Sequence, residues 1–344
     1  ATFPGRDMAP DLVIQELENY RFIHRKVGAD DLYFIYNPEG KAVTLNCSFR
    51  VADRIPELWF ADTGKIERMG QFSNVNGRTD CVLELDPHES VFVVFRASAK
   101  GIDPVVEVKP TGAKVLLSEN GQMKLNTEQN GVYTVKRRSG ETQTVNVNCL
   151  REPLTINSPW QVEFDGVGLT GPNILDFKTL TDWKDHARDD IKHFSGTASY
   201  RTQMNVDEAW LSSGQRILLD LGRVEIAAEV IVNGKNAGIL WKPPFQIDVT
   251  EQIRTGNNDV EIRVTNLWAN RLIGDQKLKD TSGYNSKGKM PDWFINNEPM
   301  PKGPRSTFTT YNFYSKDRRL LSSGLLGPVK ISASKAEKFL STEP

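Results

Sequence analysis

The run Asn266-Leu267-Trp268-Ala269-Asn270-Arg271-Leu272-Ile273-Gly274-Asp275 concentrates more usable chemistry than any other part of the chain. An indole face beside amide and guanidinium donors suits a sugar ring, which offers C–H bonds for stacking and hydroxyls for hydrogen bonding. The same residues would equally close off a strand-end loop, with Arg271 paired to Asp275 and Asn270 satisfying irregular backbone. Trp241 poses a similar choice between stacking on a sugar and packing in a sandwich core. Carboxylates are plentiful, with 44 aspartates and glutamates, so acidic pairs arise cheaply. Asp30-Asp31 and Asp189-Asp190 read as solvated turn residues. The segment from Asp275 to Pro304 is too long for a mere connector. It gathers Asp292, Glu298, Tyr284, Trp293 and Phe294, and binding or packing is expected of it ahead of catalysis.

The elements that must hold these residues are short strands. Asn-Gly is the strongest short-range hairpin signal because a type I′ turn needs positive φ at both central positions. It occurs at Asn76-Gly77, Asn120-Gly121, Asn130-Gly131 and Asn233-Gly234, each beside alternating apolar runs. Long amphipathic helical patterns are scarce. Residues 8–19 suit one helix, and Leu180 to Arg188 a second, short one with Thr181 as N-cap. The Asn266 stretch reads as a loop following a strand whose apolar phase is Val260, Ile262 and Val264. The fold class expected is all-β, with two to three β-sandwich units.

At 344 residues the chain exceeds one comfortable core. The expected partition is 1–30 as a tail leading from something upstream, 31–97 as a small β-sandwich, 98–156 as a bridging β-unit, 157–335 as the largest domain and 336–344 as a C-terminal tail. With 43 basic against 44 acidic residues, neither nucleic acid nor an anionic membrane is expected as partner, since either needs a concentrated basic field. No apolar run approaches the roughly 20 residues of a spanning helix. The opening Ala-Thr-Phe-Pro-Gly-Arg-Asp, with no initiating Met and no signal peptide, suggests a processed product or a cut piece.

Cys47, Cys81 and Cys149 each fall on the apolar phase of a strand-like run, as buried free thiols would. A Cys47–Cys81 disulfide would require their strands to face each other. No CxxC or HxxH spacing exists, and four scattered histidines do not make a zinc site.

Several phrases of the largest domain occur in a telling order. They are Ser195-Gly196-Thr197-Ala198-Ser199-Tyr200, then Val232-Asn233-Gly234-Lys235 with Gly238, then Trp241-Lys242-Pro243-Pro244-Phe245 and Asp248-Val249-Thr250. This resembles the galactose-binding-like jelly roll that serves as sugar-binding domain in family-2-type glycoside hydrolases. The Asn266–Asp275 stretch and the closing Ser323-Gly324-Leu325-Leu326-Gly327-Pro328-Val329 narrow the likeness to the C-terminal region of family-106 α-L-rhamnosidases. Ile23-His24-Arg25, Asp31-Leu32-Tyr33-Phe34-Ile35-Tyr36-Asn37 and Pro56-Glu57-Leu58-Trp59 resemble the part of those enzymes that comes after the catalytic barrel.

The resemblance implies an accessory region of a glycoside hydrolase, with no catalytic residue of its own, because the βαβ alternation of a barrel is missing. Its implied partners are a rhamnose-containing plant-type polysaccharide or oligosaccharide and the upstream catalytic barrel. Candidate substrate-binding residues are Trp241, Trp268, Asn270, Arg271, Trp293, His24 and Arg25. The last two would lie near the barrel, where a cation could orient a glycoside or a uronic acid carboxylate, or where Arg25 could form an interdomain ion pair. A structural calcium ion, common in such jelly rolls, is the one cofactor implied, although no acidic loop shows ligand spacing for it. Export to the periplasm or beyond is expected by analogy. The reading from a different class is purely structural bracing with no sugar contact, and the third is independent catalysis by this chain.

Overall fold

The computed structural model describes residues 9–14, 21–157, 159–211, 214–284, 289–311 and 313–339. Strands dominate, and the longest α-helix among the described residues, Ala269–Asp275, has 7 residues. The chain divides into two compact units. One comprises the chain up to Glu152 with short returning pieces that include 214–216 and 333–339, and the other comprises 153–211 and 217–332.

The first unit opens with a sandwich of two antiparallel sheets. One has the order Leu12–Ile14, Val43–Phe49, Arg78–Leu85, Ser73–Val75, and the other Arg21–Val27, Asp30–Tyr36, Ser90–Ser98, Arg54–Trp59, Ile66–Arg68. Alternation sends one side-chain row of each sheet inward. Phe49 from the first sheet meets Tyr33 and Phe95 from the second at ring-centroid distances of 4.9 and 5.1 Å. Such tilted and edge-on rings add about 0.5–1.5 kcal/mol per pair beyond the area they bury. Glu57 lies fully buried and accepts from Trp59 Nε1, Arg68 and Arg96. Residues 105–147 add the three-stranded sheet Val105–Lys109, Gly131–Arg137, Thr142–Val147 and the hairpin Lys114–Leu117 with Met123–Thr127.

The second unit rests on the six-stranded antiparallel sheet Ile174–Phe177, Trp160–Gly166, Gly196–Val206, Gly256–Thr265, Ala227–Val232, Lys235–Leu240. Its inward row includes Trp160, Val162, Phe164, Tyr200, Val230 and Ile262, all buried. Across from it, Ile217, Leu219, Val224, Phe245, Leu325 and Ile331 are buried from the opposing short strands and their loops. The outward row is polar and cross-paired: Arg201 spans Glu163 and Glu261, and Arg263 spans Glu261 and Glu229.

The helix expected over 8–19 is not formed where it can be checked. Leu12–Ile14 is a strand paired with Val43–Phe49, while 8 and 15–20 lie outside the described residues. Arg21–Val27, read from sequence as tail, is an edge strand paired with Asp30–Tyr36. The short helix near residue 183 is a 3-10 turn, Trp183–Asp185, capped by Asp182 in place of Thr181. Of the four Asn-Gly pairs, Asn76-Gly77 and Asn233-Gly234 have positive φ at both positions and close hairpins, and Asn120-Gly121, with positive φ at Gly121 alone, closes the hairpin of Lys114–Leu117 with Met123–Thr127. Asn130-Gly131 closes none, because Met123–Thr127 and Gly131–Arg137 join different sheets. Cys47 and Cys81 are buried and Cys149 is half-buried, beyond the end of its strand.

Candidate functional site

Register fixes which loops share an end of the large sheet. Gly166 pairs with Gly196, Thr197 with Thr265, Thr265 with Ala227, and Ala228 with Leu240. Trp241 comes directly after Leu240, and Trp268 three residues after Thr265. The two indoles therefore leave the sheet at the same end, from strands two places apart, with roughly 10 Å between those strands. Trp268 is 72% exposed and Trp241 58%, with Leu267 and Ile226 also exposed at this rim. Large apolar faces standing in water beside polar backbone are what a stacked sugar ring would cover.

The helix Ala269–Asp275 holds Trp268 outward. Trp268 is its N-cap, and six of its seven residues are buried. The Asn266–Asp275 stretch, expected as a loop, is thus a two-turn helix at its far end. Asn270, 1% exposed, donates to the Leu321 carbonyl at 2.8 Å and to Ser323 Oγ at 3.1 Å, and accepts from the Leu321 amide at 2.8 Å. Asn266 accepts from the Gly196 amide and donates to the Phe194 carbonyl and Ser323 Oγ. Arg271, 5% exposed, lies 2.8 Å from Asp275 Oδ1. Asp275 Oδ2 in turn accepts from the Ser306 amide and from the amide and hydroxyl of Thr307. The helix is a latch that ties residues 306–307 and 321–323 to the sheet end. Asn270 and Arg271, named from sequence as sugar contacts, are directed into this latch and away from solvent, which is the backbone-satisfying role weighed beside the sugar one.

The loop after Gly166 crosses the same rim. Asp190, expected to be solvated, is buried and accepts from the Thr170 amide and hydroxyl and the Gly171 amide, with Arg188 on it at 2.7 Å. The Arg188 guanidinium and the Thr170 bonds outweigh burial and hold its carboxyl well below the usual aspartate range. Gly168 sits at φ +81°, and a Cβ there would come 2.5 Å from an Arg271 nitrogen, so only glycine lets the loop pass over the latch. Nothing in the sequence distinguished Asp190 from Asp189, which is why it was missed.

The remaining candidates lie elsewhere. Trp293 donates Nε1 to the Ser282 carbonyl at 2.7 Å and packs edge-on against Phe308 at 5.0 Å, forming with Tyr284 and Phe294 a local aromatic cluster. Asp292 and Glu298 are exposed. In the first unit, His24 stacks on Tyr33 at 4.1 Å and lies between Asp11 (3.3 Å) and Asp31 (2.8 Å), while Arg25 is exposed on the edge strand. Asn233 is a turn residue whose amide binds the Gln252 carbonyl and Asn258.

Among the described residues, the carboxylates whose titration is displaced, Asp190, Glu57 and Asp182 with them, are displaced downward. Burial alone would raise Glu57 and Asp182, but the bonds from Arg96, Trp59 and Arg68 to the first, and from Lys184 and Ser323 to the second, outweigh it. A general acid needs the opposite displacement. Among the described residues no group of three or more His, Cys, Asp or Glu is placed to hold a metal ion, and no helix is long and apolar enough to cross a membrane.

The chain resembles known proteins in two stretches. Residues 2–74 match the α-L-rhamnosidase family model, and residues 150–290 match the sugar-binding domain of glycosyl hydrolases family 2. The solved rhamnosidase from Novosphingobium sp. PP1Y superimposes with a TM-score of 0.69 at 29% identity, over 96% of this chain and 25% of that one. A curated relative from Formosa agariphila, named a putative β-glucuronidase, is 41% identical over 221 residues, which is 63% of this chain and 19% of that protein. The chain thus spans a quarter or less of the length of these relatives. It is similar to a rhamnosidase region with a family-2-type sugar-binding domain, a jelly-roll-like sandwich, and strands predominate among its described residues.

Proposed function

We propose that this chain is the non-catalytic, carbohydrate-binding accessory region of a rhamnosidase-like glycoside hydrolase whose catalytic barrel lies outside it. One observation carries the reading: two exposed indoles, Trp241 and Trp268, stand at one end of a sheet belonging to a sugar-binding type of domain. The tying-up of the buried carboxylates in cationic and backbone bonds supports placing the hydrolytic pair elsewhere. The glycan proposed is a rhamnose-containing plant-type oligosaccharide or polysaccharide. The name of the Formosa relative makes a glucuronide the competing ligand. A periplasmic or extracellular location accords with such a substrate.

Calorimetric titration of the whole chain with rhamnose-containing pectic oligosaccharides should give heat that Trp268→Ala and Trp241→Ala abolish. Heat from glucuronic acid oligosaccharides alone would reassign the ligand. An aryl rhamnoside should not turn over, and reproducible hydrolysis would overturn the placement of the catalytic pair. The bracing alternative has its own support in the exposed Phe294 and Ile295 of the long segment and in Tyr311 and Phe313 beyond it, which would suit packing against another domain. Silence with every sugar would favour it.

A further inference from the structure

The four-stranded sheet of the first unit brings two thiols face to face. Cys47 on Val43–Phe49 and Cys81 on Arg78–Leu85 are direct register partners in an antiparallel pair. Both belong to the inward row, Cys47 between Leu45 and Phe49, Cys81 between Thr79 and Leu83. Directly opposed residues in antiparallel strands have Cα atoms about 4.5 or 5.5 Å apart. A disulfide spans Cα separations of about 4.4–6.8 Å, so both spacings fall inside its reach without backbone movement. The neighbouring strand Leu12–Ile14, which sets Ile14 opposite Cys47, leaves Cys81 as the partner on the other side.

We propose that Cys47 and Cys81 are a redox pair that closes into a cross-strand disulfide when the chain meets a small-molecule disulfide such as oxidised glutathione. One thiolate attacks the glutathione disulfide, forms a mixed disulfide and releases one glutathione. The second thiolate attacks the protein sulfur of that bond and releases the other glutathione. Two protons and two electrons leave the cysteine pair, and one oxidised glutathione becomes two reduced ones. Because both thiols are buried, and burial pushes the Cys81 thiol up, the exchange runs in the folding chain or in brief openings and not on the closed sandwich. Cys149, half-buried and outside this sheet, stays a thiol. The bond would clamp the sheet at its second and third strands, constraining the unfolded chain over everything between them. The proposal is independent of the sugar reading.

The test uses the whole chain, unfolded and then refolded in glutathione buffers of two poises, quenched with acid, denatured and alkylated. Intact mass should show three alkylated thiols from the reducing buffer and one from the oxidising buffer, with Cys149 the labelled site and Cys47 and Cys81 joined in the peptide map. Three labelled thiols from the oxidising buffer, or a bridge that includes Cys149, would overturn it. The oxidised form should melt roughly 5 °C above the reduced form. That difference should vanish in Cys81→Ser. Where the variant fails to refold, the wild-type mass comparison still decides the matter.

Discussion

Trp268 and Asn270 stand two residues apart and meet opposite environments. The indole projects into water at the rim, while the amide beneath it satisfies the backbone at Leu321 and leaves nothing to solvent. Their region divides into an outer surface able to stack and an inner latch able only to hold. The difference teaches that a sequence rich in sugar-compatible side chains need not be spending them all on sugar. The latch is what makes the rim rigid, since the helix that turns Trp268 outward is pinned through Asn270, Arg271 and Asp275. Binding and stability should therefore separate cleanly by position.

The largest effect should come from breaking the latch. Asp275→Ala removes the acceptor for the Ser306 and Thr307 amides and strands Arg271 in a buried site. Loss of one partner from such a pair costs about 3–5 kcal/mol. Urea unfolding should show this loss in full. A change under about 1 kcal/mol would mean the inner region does not hold the rim. Gly168→Ala should cost about 2 kcal/mol, since the new methyl meets Arg271 and the backbone sits at positive φ. It would sharpen the comparison by loosening the rim loop without touching either indole.

How much of this division could be read from sequence depends on what sets each feature. Alternation and the Asn-Gly turns at 76–77, 120–121 and 233–234 are local, so they revealed the sandwich character and three hairpins. The order of phrases from Ser195 to Val329 pointed to the domain type. The helix Ala269–Asp275 was hidden because seven residues that include Gly274 are too few to form a helix on propensity alone. Its stability comes from residues 306–307 and 321–323, distant in sequence. The strand Leu12–Ile14 is not legible in sequence because a short apolar run serves either period, and only its pairing with Val43–Phe49 decides it. Among the candidate residues, Trp268 and Asn270 were equally plausible since exposure is a tertiary property. Asp190 looked like any acidic turn for the same reason.

A smaller, pH-dependent effect should come from Asp190, which anchors the rim loop. Its folded carboxyl titrates well below the ordinary 3.8, so the unfolded chain binds its proton first. Stability from this group is then fully present above about pH 4 and is lost as pH falls toward its folded value. Asp190→Asn should be less stable than wild type by about 2 kcal/mol at pH 7, and the two should converge as the medium is acidified to about pH 2. Parallel curves from urea melts across that range would show that the carboxylate charge is not what holds Thr170 and Gly171.

The smallest expected change in stability carries the most information about function. Trp268→Ala removes a side chain that is mostly in water already, so stability should move by no more than about 0.5 kcal/mol. The same variant should lose the heat of sugar binding, because each aromatic platform offers a contact that nothing buried below can replace. Asn270→Ala should invert the pattern, costing stability through the unpaired Leu321 backbone while retaining sugar heat under conditions where it stays folded. If instead Asn270→Ala weakened binding in a chain of native stability, and Trp268→Ala left the titration unchanged, the outer and inner assignments would exchange places. The glycan would then have to reach the helix by displacing the segment around Leu321, and the exposed indole would be left for contact with another domain.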